Sequence, residues 1–346
     1  MNLKLHFRAA AVAILICAMQ PAAQAAPGYS VKDIGTVDNT YGLKPASMND
    51  KSWVTGHGEV PPSGESRAFI TGPGGKNRRS LGDRLTAYAI NNHGAVAGTM
   101  QDANGNTRAF TSGKQGSNPH EIGTLGGLNS SAMAVNNHGV VVGYSETRPD
   151  SSNIRAFVYD GNTGKMTSLG NCPVDASNAM AVNDKGMIAG SYFCEETDAI
   201  RVFTASPPDY GLVPYTSPGS LNLRVTAISP KGTVLGTSTV ANGLIRLFTI
   251  RPGKQIELLN TPQELMAVFA NALNDAGTIV GTFEPPNSWD LHAFVCSGDC
   301  SDFVDLNSVA TAPPGVVFAQ AASVNASGQI LATGSDGHGY LLTPKK

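Results

Sequence analysis

The sequence predicts an all-β fold, a seven-bladed β-propeller of four-stranded blades. Three observations predict it: a thirteen-residue unit recurs seven times, each period holds four short strand-like segments, and a spare strand precedes the first unit while the last period lacks one. The units are PASMNDKSWVTGH (45–57), AYAINNHGAVAGT (87–99), AMAVNNHGVVVGY (132–144), AMAVNDKGMIAGS (179–191), VTAISPKGTVLGT (225–237), ANALNDAGTIVGT (270–282) and AASVNASGQILAT (321–333). Their fifth residues, Asn49, Asn91, Asn136, Asn183, Ser229, Asn274 and Asn325, step by 42, 45, 47, 46, 45 and 51 positions. A period in the mid-forties carrying four strands is the cadence of a propeller blade.

Taken in chain order, residues 1–25 read as a secretory signal. Lys4 and Arg8 give a positive start, 9–19 an apolar stretch, and Ala23-Gln24-Ala25 a small-x-small cleavage site. The mature chain, 26–346, is then expected to be one propeller domain. YSVKDIGT (29–36) is the spare strand, expected to complete the C-terminal blade so that no sheet edge is left open.

Each unit then reads as a hairpin: alternating apolar residues, an N-x-x-G turn, and a Val/Ile-rich return. Asn or Ser opens a type I turn and Gly closes it with positive φ. Ser52 stands where the other units have glycine, which predicts the least regular turn there. The third residue is always small (Ser47, Ala89, Ala134, Ala181, Ala227, Ala272, Ser323) and the twelfth is glycine six times, then Ala332. Both suggest close backbone approach at a crowded axis.

The third strand of each period is RAFITG (67–72), RAFTSG (108–113), RAFVYD (155–160), RVFTAS (201–206), RLFTIR (246–251), HAFVCS (292–297) or HGYLLT (338–343), with an aromatic ring to pack one blade on the next. Fourth strands are expected at 77–83, 120–124, 166–170, 255–259 and 303–306, with YGLVPY (210–215) the weakest; the seventh period has none.

With these motifs the chain resembles the HAF-repeat family of bacterial proteins, regarded as extracellular. That family joins an A-x-A-I-N-x-x-G-x-V-V-G hairpin to an [HR]-A-F segment and an L-G-x-L-G-G-type strand, here seen in His292-Ala293-Phe294 and in 121–127. Ser229-Pro230 and His338-Gly339-Tyr340 depart from the pattern. The resemblance implies an exported repeat protein and brings no agreed activity.

Composition narrows the partners. Cleavage of the signal removes two of 24 basic residues and none of 26 acidic ones, leaving 22 against 26. A mildly acidic chain is a poor nucleic-acid binder, since that affinity rests on clustered Lys and Arg. No second apolar run is long enough for a membrane span. The remaining Cys172, Cys194, Cys296 and Cys300 suit disulfides in an exported protein. Hairpin geometry pairs Cys296, ending a third strand, with Cys300, beginning a fourth. It pairs Cys172, before the first strand of the fourth blade, with Cys194, just after its second.

No catalytic motif is present: no G-x-S-x-G, H-E-x-x-H, phosphate-binding loop or C-x-x-C. No cofactor is expected. His93 and His138 fill a turn slot taken elsewhere by Lys51, Lys185, Lys231, Ala276 and Ser327, so they read as solvated turn residues; with His120 they make no recognisable zinc set. Asp102, Asn104 and Asn106 alternate like calcium ligands but lack the later bidentate acid. Arg67, Arg108, Arg155, Arg201, Arg246, His292 and His338 open successive third strands and would form a basic ring. It could bind anions or glycans, but the simpler reading has each cation pair within its own blade, with acids such as Asp33, Glu121, Glu257 and Asp305.

The expected function is an exported, non-catalytic binding module, secreted or periplasmic and monomeric, holding a glycan or protein on the loop face. The loops between second and third strands (58–66, 101–107, 145–154, 192–200, 238–245, 283–291) share that face with the fourth-to-first connections and differ from one another. Tyr192, Phe193 and Trp289 are the aromatics a glycan would stack on. The alternative is a hydrolase or lyase acting on an extracellular polymer in the central funnel, drawing on Glu195, Glu196, Asp198 or Asp290, which form no readable pair.

Overall fold

The structure, a computed structural model, describes residues 28–35, 41–149, 153–169, 176–194, 198–217, 220–286, 288 and 290–345. The expected signal at 1–25 lies outside them. Strand β1 is Tyr29–Gly35. The first repeat holds β2 (Tyr41–Met48), β3 (Val54–Val60), β4 (Glu65–Ile70) and β5 (Arg79–Asp83). The second holds β6 (Leu85–Ile90), β7 (Val96–Gln101), β8 (Thr107–Thr111) and β9 (His120–Gly123). The third holds β10 (Ser130–Val135), β11 (Val140–Glu146), β12 (Ile154–Asp160) and β13 (Lys165–Ser168). In the fourth are β14 (Ser177–Val182), β15 (Ile188–Cys194), β16 (Ala199–Ala205) and β17 (Val213–Tyr215). The fifth comprises β18 (Ser220–Ile228), β19 (Val234–Val240), β20 (Ile245–Ile250) and β21 (Ile256–Leu258). The sixth comprises β22 (Val268–Leu273), β23 (Thr278–Phe283), β24 (His292–Ser297) and β25 (Val304–Asp305), and leads into a helical turn, α1 (Leu306–Val309), where a strand end was expected. Asp305 caps that turn through Asn307 N. The seventh comprises β26 (Phe318–Val324), β27 (Ile330–Gly334) and β28 (Gly339–Pro344).

Among the described residues the strands form five four-stranded antiparallel sheets and one of eight strands. β1 joins β28, from Tyr29 opposite Pro344 to Gly35 opposite Gly339, so the N-terminal strand sits in the sheet of the seventh repeat. The larger sheet unites the fourth and fifth repeats through one parallel pair, Ile200 with Asn222. Its origin is local. β17, the weakest of the expected strands, is three residues long, and the nine-residue β18 reaches the part of β16 it leaves uncovered.

Among the described residues seven apolar clusters form the core, each between two repeats. Phe110, for example, packs with Ala68 and Ile70 of the repeat before it. Phe157, Phe203, Phe248 and Phe294 repeat that relation. Tyr340 lies with Val280 and Val295, and Phe69 lies with Leu331 and Leu341 of the seventh repeat. Each of these rings is at most 1% exposed. Burying one contributes about 1.5–3 kcal/mol.

The glycine of the second strand serves this ring rather than an axial contact. Gly56, Gly98, Gly143, Gly190, Gly236 and Gly281 lie opposite Phe69, Phe110, Phe157, Phe203, Phe248 and Phe294. A Cβ on Gly98 would collide with the Phe110 ring and with Thr86 O of the first strand. The turns also correct one expectation. Ser52 takes a left-handed backbone, φ 58°, and donates its N–H to Asn49 O at 2.9 Å, as Gly94 does to Asn91 O. That turn is therefore as regular as its siblings, with serine in a conformation that favours glycine.

Candidate functional site

The first strands of all seven repeats line one axial cavity of about 350 Å³. A β-bulge shapes it. In each first strand the pairing slips by one residue, as between Ala87 and Ala89 opposite Gly98 and Ala97. The same slip recurs in the other six hairpins. A bulge re-aims the extra side chain. The extra residues are Ala46, Tyr88, Met133, Met180, Thr226, Asn271 and Ala322, and all seven line the cavity. The lining runs from them to the N-x-x-G turns, so the mouth faces away from the loops between second and third strands.

The turn asparagines hold the mouth. Asn136 Oδ1 accepts from His138 N (3.0 Å) and Val140 N (2.9 Å), which closes its own turn. Its Nδ2 donates to Asn183 O of the next repeat at 3.0 Å. Asn49 reaches Asn91 O (2.9 Å), Asn91 reaches Asn136 O (2.8 Å), Asn183 reaches Ser229 O (3.3 Å) and Asn274 reaches Asn325 O (3.0 Å). The next residue builds a second tier. Asp50 N, Asn92 N and Asn137 N donate to Asn92, Asn137 and Asp184 Oδ1 (2.9, 2.7 and 2.9 Å). Pro230 has no N–H, so at the fifth junction Lys231 N, one residue further on, donates to Asp275 Oδ1 (3.0 Å), and Ala326 N donates to Asp50 Oδ1 (2.9 Å). This bridging role was missed in the sequence, where the asparagine was explained by its own turn alone.

The basic positions have separate partners. Arg67 forms a two-pronged pair with Asp83 on β5, and its guanidinium holds the Asp83 carboxyl below the usual range. Arg108 lies 3.2 Å from Asp102 and 3.6 Å from Glu121. His292 Nδ1 is 2.6 Å from Asp305, and His338 Nδ1 is 3.0 Å from Asp33 on β1. Arg246, buried, donates to the carbonyls of Leu265 and Gln263, while Glu257 pairs with Arg251. Arg201 has no ion pair among the described residues, and Nη1 of Arg155 is buried without a partner.

Asp102 stabilises its own loop. Oδ1 accepts from Asn104 N and Asn106 N, and Oδ2 from Asn106 Nδ2 and Arg108 Nε. These bonds, the Asn106 amide first, hold its carboxyl down at about 2. His93, His120 and His138 are exposed, and among the described residues no His, Cys, Asp or Glu set could hold a metal. Tyr192, half-buried, leans on Phe203 at the edge of the core, ring centroids 6.4 Å apart. Trp289, Glu195 and Glu196 lie outside the described residues; Asp198 and Asp290 are exposed.

Cys296 and Cys300 stand at disulfide distance, Cα atoms 4.9 Å apart. They meet across a tight turn, where Cys300 N donates to Ser297 O. The fourth strand begins only at Val304, so Cys300 is a turn residue and not a strand one. Cys172 lies outside the described residues, as does the side chain of Cys194, so the 172–194 pairing does too.

Sheets of this kind, arranged around an axial cavity, define a β-propeller, and the solved structures similar to this chain are propellers. The β-propeller domain of the Trilobed protease from Pyrococcus furiosus matches over 86% of this chain and 91% of that one, at 11% identity and TM-score 0.59. YCF48 bound to D1 peptide matches over 91% and 97%, at 10% and 0.58. TolB from Acinetobacter baumannii matches over 86% of this chain and 65% of that one, at 10% and 0.53, so this chain spans less than two thirds of that TolB. These likenesses concern the fold alone. The chain belongs to the family described as "Protein of unknown function (DUF3466)", which matches residues 76–285. No curated protein matches it.

Proposed function

We propose that this chain is an exported, non-catalytic binding module, a closed seven-bladed β-propeller that holds its ligand in the axial cavity. A seven-bladed ring is supported by the seven inter-repeat cores and by the pairing of β1 with β28; the eight-stranded sheet counts as two blades. The repeat motifs favour membership of the HAF-repeat group. The signal at 1–25 and the Cys172–Cys194 and Cys296–Cys300 bridges favour the periplasm or the cell exterior, with 26–346 as one domain. The basic positions serve their own blades, as their partners in β5, β9 and β25 suggest.

One observation carries the reading. Within the repeated unit the third residue is small throughout, whereas the bulge slot aimed at the axis reads Ala, Tyr, Met, Met, Thr, Asn, Ala. Side-chain diversity at the axis of a uniform scaffold is what a specific site requires. The test is a thermal-shift screen of glycans, anions and peptides, since a bound ligand stabilises the fold by mass action. A ligand class that raises Tm should lose its effect when Ala46 and Ala322 are replaced by Leu to fill the cavity. An undiminished effect in that variant would refute the axial site.

A further inference from the structure

The chemistry of the cavity wall is uneven, and it selects a ligand. Tyr88, Met133 and Met180 belong to consecutive repeats and all line the cavity. The Tyr88 ring also stands edge-on to His57 at 6.5 Å, and Met180 packs against the core between the fourth and fifth repeats. Thioethers and an aromatic face take up alkyl groups and tolerate an adjacent cation. Facing them, Thr226 donates to Leu235 O at 3.3 Å and Asn271 Nδ2 to Ala321 O at 2.9 Å. The Thr226 hydroxyl has spent its one proton and keeps acceptor lone pairs, while Asn271 keeps its Oδ1 acceptor together with one further N–H. At the mouth stand the carboxylates of Asp50 and Asp184, which also accept from the Asn92 and Asn137 amides at 2.7 Å each. Among the described residues no Lys, Arg or His lines the cavity itself, and Lys51, Lys185 and Lys231 each follow a lining residue in the turns. Apolar floor, polar wall and carboxylates at the mouth together favour a cation over phosphate, sulfated glycan and carboxylate ligands. They match a donor-rich cation on an apolar stem.

Resting on the axial site proposed above, we infer that the cavity receives the free N-terminal end of a peptide chain whose first residue is apolar. The leading side chain meets Tyr88, Met133 and Met180. The ammonium group is met by Asn271, Thr226 and the mouth carboxylates, and the following residues leave past the N-x-x-G turns. A volume of about 350 Å³ is at the small end for ligand sites and suits one or two residues rather than a folded surface.

The probes are the peptide Leu-Ala-Ser-Gly-Gly with a free N-terminus, its N-acetylated form, a peptide with an internal lysine behind an acetylated end, and hexylamine, each titrated by calorimetry. The free peptide should bind, with an affinity that falls as salt rises, since the mouth carboxylates face solvent. Acetylation should weaken it at least tenfold, and hexylamine should bind more weakly than the peptide. In Asp50→Asn/Asp184→Asn the preference for the free end should shrink by about tenfold, whereas in Met133→Ser/Met180→Ser both peptide forms should weaken together. The salt dependence of the unaltered protein keeps the test valid should a variant fold poorly. Equal binding of the acetylated form, tighter binding of hexylamine or of the internal lysine, or no binding of the free peptide at millimolar concentration would overturn the inference. The axial site itself would still stand if another class stabilised the protein and lost its effect in the Leu-filled variant.

Discussion

Asn136 closes its own turn with Oδ1 and fastens the next repeat with Nδ2. Replacing it by alanine strands two N–H groups and a carbonyl in a buried setting, for an expected loss of about 2–4 kcal/mol in urea unfolding. His93 and His138 sit in the third slot of their turns, exposed, and exchanging both for Lys should change stability by less than about 1 kcal/mol. His57 behaves differently. Its burial, and then the nearby Lys44 cation, push its pKa below the ordinary 6.5, so the folded state favours the neutral ring. Stability from this group is present above pH 6.5 and declines as pH falls below it, because the unfolded chain binds the proton more readily. In His57→Gln that part of the pH profile should flatten, as thermal melts between pH 7 and 5 would show. Much at this scale was legible: glycines of the turns adopt positive φ where N-x-x-G requires it, as Gly94 (76°) and Gly139 (80°) do. The bridging by Asn was not, because one residue with two uses leaves a single trace in a repeat. The bulge was hidden for the opposite reason, since a slot filled by Ala, Tyr, Met, Thr and Asn looks like variation without a rule.

Among the elements, β1 joins the two ends of the chain. It supplies the edge of the seventh sheet, and Ile34 enters the core shared with Met48, Phe69, Leu331 and Leu341. Deleting 29–36 should expose β28 and uncover that core, giving aggregation by light scattering and a lower, broader melt. A deletion variant that melts like the intact chain would remove the argument for closure. The placement of this strand followed from counting strands per period. The joining of β16 to β18 did not, because it depends on how short β17 turns out to be. For the cysteines, mass spectrometry of the non-reduced digest should recover a 296–300 bridge and a 172–194 bridge. A 194–296 peptide would reject the assignment. The turn between Cys296 and Cys300 is too short for strand pairing to bring them together, and this part of the sequence reading needed correction.

For the molecule as a whole, the two tiers of hydrogen bonds around the mouth have a dynamic consequence. The junctions after the first, second and third turns carry both tiers. Within these two tiers, the junctions after the fourth and sixth keep only the asparagine amide, while those after the fifth and seventh keep only a main-chain N–H, from Lys231 and from Ala326. Pro230 and Ala326, with no side-chain acceptor, end the second tier; Ser229 and Asn325, whose amide turns back to Gln329, end the first. Every junction is held at least once by the tiers, which are double over one arc and single over the other; outside them Lys231 Nζ reaches Asp275 O, Asn271 Nδ2 reaches Ala321 O and Met48 N reaches Ser323 Oγ. Local opening draws on the least protected contacts. Amide hydrogen exchange should therefore be slowest in the turns at 91–94 and 136–139 and quicker in those at 229–232 and 325–328, so that the protein breathes on one side of its axis.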